Sequence, residues 1–299
     1  MAHASVAKTA ATIKHILFAT DFSTQSAHAI PYIAAIAKHF GARVFATHII
    51  QGEPRYEVPM DQLREEVTQA RKDAEQDMAA LLENTALEEM SPEVCIQTGD
   101  VWHELKELAT NNNVDMIVVG THGHGGVGKM VFGSVAEQIF RQANCPVLIV
   151  GPHVSDDDFS GEIQRILFAT DLSRTSLAML PFSVDLANAF GAFFKAVHVL
   201  HERRAAMLTF VPEEVSSRQK ILQAAMANYP FVHEPEVMVE NGAVADTILK
   251  TAATNSIDLI MMGAHKTGSA SLVSHLPMST THVVASHACC PVLVVPSGN

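Results

Sequence analysis

Apolar residues fall along the chain in short unbroken runs, separated by stretches where apolar and polar positions recur at helical spacing. Ile16 to Ala19 is the first run. Thr20-Asp21-Phe22-Ser23 follows it, where an Asp or a Ser can cap a helix start. From Ser26 to Phe40 apolar residues return three and four apart, and Gly41 ends the pattern. A helix over 26–40 with a glycine C-cap is predicted. Arg43 to Ile50 reads as a strand, Asp61 to Glu89 as a long charged amphipathic helix, and Glu93 to Gln97 as a short strand. Gly99-Asp100 opens a helix through Ala109. Met116 to Val119 and Pro146 to Val150 are further strands, with a helix over Ser134 to Gln142 between them. Runs that are apolar on both faces and alternate with helices mark a buried parallel sheet.

The pattern then occurs a second time. ILFATDFS at 16–23 returns as ILFATDLS at 166–173, an offset of 150 with one difference. Phe40-Gly41-Ala42 matches Phe190-Gly191-Ala192, and His48 matches His198. DMIVVGTH (115–122) matches DLIMMGAH (258–265) at an offset of 143, and CPVLIV (145–150) matches CPVLVV (290–295) at 145. The second copy has lost about seven residues in its middle and regained about two near its end. A period this long is a whole domain, not a solenoid unit. Two tandem doubly wound α/β domains are expected, 1–153 and 154–299, joined by a polar linker over Gly151 to Gly161 that contains DDDFSG. The segments 145–150 and 290–295 are apolar last strands. Two uncovered edges on one chain can pair with each other, so a pseudo-dimer with Leu148 and Leu293 at its seam is predicted.

A length of 299 residues, about twice a typical domain of roughly 150, agrees with two domains. Hydrophobic residues make up 48% and charged residues 17%, with mean hydropathy +0.16, which excludes a disordered chain. The formal net charge of -12 argues against nucleic acid or an anionic membrane as partner. Nowhere do 18 apolar residues run together, and the first residues carry no signal-peptide pattern. The four cysteines form no CxxC pair, so a reduced cytoplasmic protein is expected.

The chemistry concentrates after Val119, where Gly120 to Ser134 contains six glycines. Such a loop at the carboxyl end of a parallel strand lets backbone N–H groups approach an anion. Gly123 to Lys129 fits GxxxxGK, but Met130 stands where a P-loop needs Ser or Thr, and the second copy has no such pattern. Gly123, Gly125 and Gly128 fit GxGxxG, but after the fourth strand instead of the first, with no acidic residue ending the next strand. The third reading is G-x2-G-x9-G-[ST], met by Gly120, Gly123, Gly133 and Ser134, which returns the loop to a helix N-terminus suited to phosphate.

With ATDFS (19–23), His48-Ile49, VVGTHG (118–123), GSV (133–135) and NCPVLIV (144–150), this frame resembles the universal stress protein family in tandem form, over nearly the whole chain. The resemblance implies a five-stranded parallel sheet per domain, pairing through last strands, and binding of adenine nucleotide, usually ATP, with Mg2+ as possible companion. It implies that Asp21 accepts hydrogen bonds from the adenosine moiety and that Ile49 flanks adenine. Ala19 and Thr20 shape that pocket, and Val119, Gly120 and Gly123 line ribose and phosphates. Gly133, Ser134, Val135 and Ala136 present amides and a hydroxyl to the phosphates, with Lys129 adding charge. The second copy keeps Asp171 and Gly263 but puts Lys266 for Gly123 and Met278 for Gly133, so one ATP per chain is expected.

Plainer roles compete with these. Asp21 and Asp171 can act as helix caps, and Gly41 and Gly191 as C-caps. His48 and His198 read as structural. His122 and His124 have no carboxylate or nucleophile at recognisable spacing. His282, His287, Cys289 and Cys290 could suggest zinc, but Cys290 matches Cys145 before an apolar strand and reads as buried filler. No Walker B residue, arginine finger or positioned base is apparent. The expectation is a nucleotide-dependent regulatory module that assembles as a homodimer. The alternative is a slow ATPase or phosphotransferase using the same pocket.

Overall fold

Pro31 and Pro181 decide how each half begins. In a computed structural model, which describes residues 12–51, 60–121, 133–155, 159–201, 211–264 and 279–296, β1 (His15–Ala19) leads into a single turn, α1 (Thr24–Ala27), and then α2 (Ile30–Phe40). The predicted 26–40 helix is thus broken at His28-Ala29. Pro31 has no N–H to give the preceding turn, and it stands instead at the start of α2. Gly41 ends α2 with φ 63°, the left-handed conformation that glycine adopts without cost.

β2 (Arg43–Ile50), α3 (Met60–Leu82) and β3 (Glu93–Thr98) follow. The helix expected to run to Glu89 stops at Leu82, since Asn84 turns left-handed at φ 58° and its N–H bonds the Glu88 carboxylate at 2.8 Å. A short 3-10 turn at Glu88–Met90 completes the connection. α4 (Val101–Asn111) is capped by Asp100, whose carboxylate accepts the His103 N–H at 2.9 Å. β4 (Met116–Gly120), α5 (Ser134–Gln142) and β5 (Val147–Val150) complete the first half.

The second half repeats the order with β6 (Arg165–Ala169), α6 (Arg174–Leu177), α7 (Leu180–Phe190), β7 (Phe193–His201) and α8 (Val211–Met226). It ends with β8 (Glu236–Gly242), α9 (Val244–Thr254), β9 (Leu259–Ala264), α10 (Thr280–His287) and β10 (Val292–Pro296).

All ten strands form one sheet in the order β3-β2-β1-β4-β5-β10-β9-β6-β7-β8. Within each half the strands run parallel. Across the seam β5 and β10 are antiparallel, with Leu148 opposite Leu293 as the edge-pairing argument predicts. One apolar layer under the sheet joins Ile33 and Met78 to Val184 and Leu222, and the other joins Leu105 and Ile139 to Ile248 and Val284. Both layers run through the two halves.

The predicted linker is part of this packing. Gly151 and Val154 are buried, and a Cβ on Gly151 would lie 2.4 Å from the Ala285 carbonyl of α10. Phe159 stacks on Tyr32 at 4.0 Å, and Phe190 meets His39 and Phe40 across the halves. An aspartate in each copy ties the strand starts together. Asp115 accepts the Lys14 and His15 N–H groups at 2.7 and 3.0 Å, and Asp258 those of Gln164 and Arg165 at 2.9 and 2.8 Å.

Candidate functional site

Strand order reverses between β1 and β4, which opens a crevice at their carboxyl ends. The Thr20 N–H still bonds the Thr47 carbonyl at 2.9 Å, and then the chain turns. Asp21 Oδ1 accepts the Ser23 N–H at 3.0 Å, and Thr20 Oγ1 accepts the Phe22 N–H at 3.0 Å while bonding Ser26 Oγ at 2.8 Å. Ser23, not Asp21, caps α1, with its Oγ accepting the Ser26 N–H at 3.2 Å. Asp21 Oδ2 has no partner among the described residues.

This turn forces Phe22 to φ 63°, a region costly for a bulky side chain by on the order of 1–3 kcal/mol. Its ring lies on the His48 imidazole at 4.3 Å and 27°, and His48 Nδ1 sits 2.8 Å from the Thr20 carbonyl. His48 therefore props the turn that carries Asp21. Sequence reading gave this histidine a structural role without finding its partner, because a left-handed phenylalanine leaves no local mark.

Gly120 ends β4 under α1. A Cβ there would lie 2.9 Å from the Ser26 N and Cα atoms, so the glycine permits a close approach of backbone to backbone. The Thr121 N–H bonds the Val150 carbonyl at 3.1 Å, and the Gly133 N–H bonds the Thr121 carbonyl at 2.8 Å. These bonds bring the two ends of segment 122–132 together. His122, Gly123, His124 and Lys129 lie outside the described residues. Gly133 is the N-cap of α5 and offers no side-chain cap. The first-turn amides of Ser134, Val135 and Ala136 have no helical acceptor, and the helix dipole makes that end positive. Gly133 itself was expected to present an amide, but its N–H is committed to Thr121.

Ile49, Val119 and Ala136 share one apolar cluster, with Ala19 and Val135 packed against it. Ten of the twelve expected site residues are described, and all ten lie at this edge of the sheet, on the ends of β1, β2 and β4 or the start of α5.

The second half repeats the turn closely. Asp171 Oδ1 accepts the Ser173 N–H at 2.9 Å, Thr170 Oγ1 the Leu172 N–H at 3.0 Å, and His198 Nδ1 lies 2.9 Å from the Thr170 carbonyl. Leu172 has φ 61° but no ring to stack on the histidine. The helix start differs. α10 is capped by Ser279, whose Oγ accepts the His282 N–H at 3.2 Å. On the 145-residue offset Gly133 answers to Met278, so the second helix begins one residue later and its own serine fills the first turn. His265, Lys266 and Met278 lie outside the described residues.

Among the described residues no group of three or more His, Cys, Asp or Glu is placed to hold a metal. Burial pushes the Cys145 thiol up to about 11 and the Cys290 thiol up to about 12, so both stay protonated and unsuited to zinc at neutral pH. No helix of the described residues is long and apolar enough to cross a membrane.

The sequence profile of the universal stress protein family matches residues 12–151 and again 162–296. A universal stress protein of Methanocaldococcus jannaschii is 32% identical over 139 residues, covering 46% of this chain and 81% of that protein. Universal stress protein A homolog 1 of Coxiella burnetii is 34% identical over 151 residues, covering 46% of this chain and 95% of its own length. The crystal structure of a universal stress protein from Archaeoglobus fulgidus superposes with a TM-score of 0.69 at 20% identity, covering 95% of this chain and 97% of that one, and shares the fold of both halves. With the family profile matched twice along its length, the chain belongs to the universal stress protein family in tandem form.

Proposed function

We propose that the N-terminal half binds ATP and that the chain is a nucleotide-dependent regulatory module. The observation that carries this reading is the glycine cap of α5. It leaves three first-turn amides and a positive helix end beside the strand that supports the Asp21 turn. The residues fit the nucleotide in chemistry: a carboxylate oxygen for hydroxyl or amine donors, apolar walls at Ile49 and Val119, and amides for phosphate. Mg2+ would come with the nucleotide, held by its phosphates. The bound nucleotide acts through occupancy and not turnover. Amides and a helix end bind ground-state phosphate, and uniform binding does not lower a barrier.

Calorimetric titration of the full chain with ATP tests the proposal. One site that Asp21→Ala weakens and Asp171→Ala leaves intact supports it. Absence of a site, or two equal ones, overturns it.

A further inference from the structure

We propose that the seam between the halves carries a metal site, in which His153 and His287 hold one zinc-like divalent ion and water completes its shell. His153 lies in the tight turn that leaves β5, where the Val154 N–H bonds the Gly151 carbonyl at 3.2 Å. Gly151 and Val154 are buried, and Gly151 backs closely onto the Ala285 carbonyl of α10, so the turn is fixed against that helix. His287 is the last residue of α10, two places on from Ala285. The two imidazoles lie with ring centres 6.2 Å apart and planes 29° apart. His153 is half-buried and His287 is exposed, so an ion in solvent can reach the pair.

Hydrogen bonding prepares one of the nitrogens. His287 Nδ1 is 2.9 Å from the Val283 carbonyl, one turn back along α10. A carbonyl only accepts, so Nδ1 carries the proton and the lone pair of the neutral ring sits on Nε2. An N–H held by a backbone carbonyl is the usual outer support of a metal-bound histidine, because it fixes both tautomer and ring orientation. His153 makes no hydrogen bond among the described residues, so its ring is free to turn a nitrogen toward Nε2 of His287. Two imidazoles on one tetrahedral zinc have ring centres about 5 Å apart, each nitrogen being roughly 2.0–2.1 Å from the ion. The pair therefore needs to close by about 1 Å from its 6.2 Å separation. Imidazole suits zinc, copper and nickel among the divalent ions. Among the described residues no third His, Cys, Asp or Glu joins the two, which leaves the remaining positions to water. The repeat supplies a contrast. At the offset of 145, Gln142, the last residue of α5, stands where His287 stands in α10, so the other end of the seam has an amide in place of this imidazole.

Zinc chloride is the probe, added to the full chain without nucleotide, since phosphates would compete for the ion. In protein labelled with 15N-histidine, the ring signals of His153 and His287 are assigned through His153→Gln and His287→Gln. Zinc is expected to move both signals together along one single-site curve. Each variant should weaken the zinc response of the remaining histidine about tenfold or more. The ion binds the turn and the helix only when they are folded against each other, so zinc should raise the thermal midpoint of the native chain more than that of either variant. Without zinc the three midpoints should agree, because neither ring is part of the core. Asp21→Ala should not alter the zinc response, so loss of the ATP site leaves this test standing. Signals that stay in place up to millimolar zinc overturn the proposal. So does a His287 signal that responds equally in His153→Gln, which would mean that each imidazole binds alone.

Discussion

The turn after β1 and the turn after β6 use the same atoms, yet the helices beside them start differently. Thr20, Asp21, Ser23, Ser26 and His48 make the hydrogen bonds that Thr170, Asp171, Ser173, Ser176 and His198 make in the second half. α5 begins on a glycine that caps nothing, and α10 begins on a serine that caps itself. An aspartate in this turn is thus no sign of a ligand, since its first oxygen serves the turn in both halves. The helix cap carries the distinction between them.

The largest effect is expected where the halves are alike. Leu148 and Leu293 face each other across β5 and β10, and each is essentially inaccessible to solvent. Leu148→Lys and Leu293→Lys each bury an unpaired charge, a change in the class that costs about 4 kcal/mol or more. Urea unfolding should show similar losses for the two. A full loss in one and none in the other would mean that the seam is not shared.

Next comes the contrast in ligand chemistry. Hydrogen bonds to charged groups contribute about 1.5–3 kcal/mol, so Asp21→Ala should weaken ATP binding roughly tenfold to 150-fold. Asp171→Ala should leave ATP affinity unchanged. Equal losses in the two variants would erase the functional difference between the halves.

Much of this arrangement was legible in the residues. Apolar runs bounded by Gly41, Asp100 and Gly191 marked strands and helices, and the repeat offset of 145 by itself pairs Leu148 with Leu293. What stayed hidden rests on contacts distant in sequence. Gly151 reads as linker because a linker glycine and one pressed against the Ala285 carbonyl look alike in sequence. The one-residue shift of the second cap escaped because counting back from CPVLVV fixes the end of α10, not its start. Phe22 and Leu172 are left-handed for reasons held in Thr20, His48 and their counterparts, and such residues carry no turn signature of their own.

The cap itself gives a smaller effect. Ser279→Ala removes the hydroxyl that accepts the His282 N–H and should cost about 1 kcal/mol, while Ser279→Gly should cost only a few tenths. Thermal unfolding measures both. If Ser279→Ala is as stable as the native chain, the serine does not close that helix end.

The smallest effect sits where the repeat has changed charge. The 145-residue offset places Glu137 of α5 against His282 of α10, so the pseudo-symmetric helices carry an acid on one side and a base on the other. His282 is half-buried. Desolvation, the largest influence, lowers its pKa from the usual histidine value, Glu137 raises it, and Arg141 and His287 lower it. The net direction is down, so the unfolded chain binds a proton more readily than the folded one. The stability linked to this group is therefore fully present above the unfolded value near 6.5 and is lost as pH falls below it. Because the ring is partly exposed, solvent screens much of the effect. His282→Gln should flatten the fall in stability between neutral and mildly acidic pH, and Glu137→Gln should steepen it by removing a neighbour that favours the charged ring. Paired urea titrations at neutral pH and near pH 5 read both changes. A native and a His282→Gln chain that lose stability in parallel would remove His282 from the seam's response to acid.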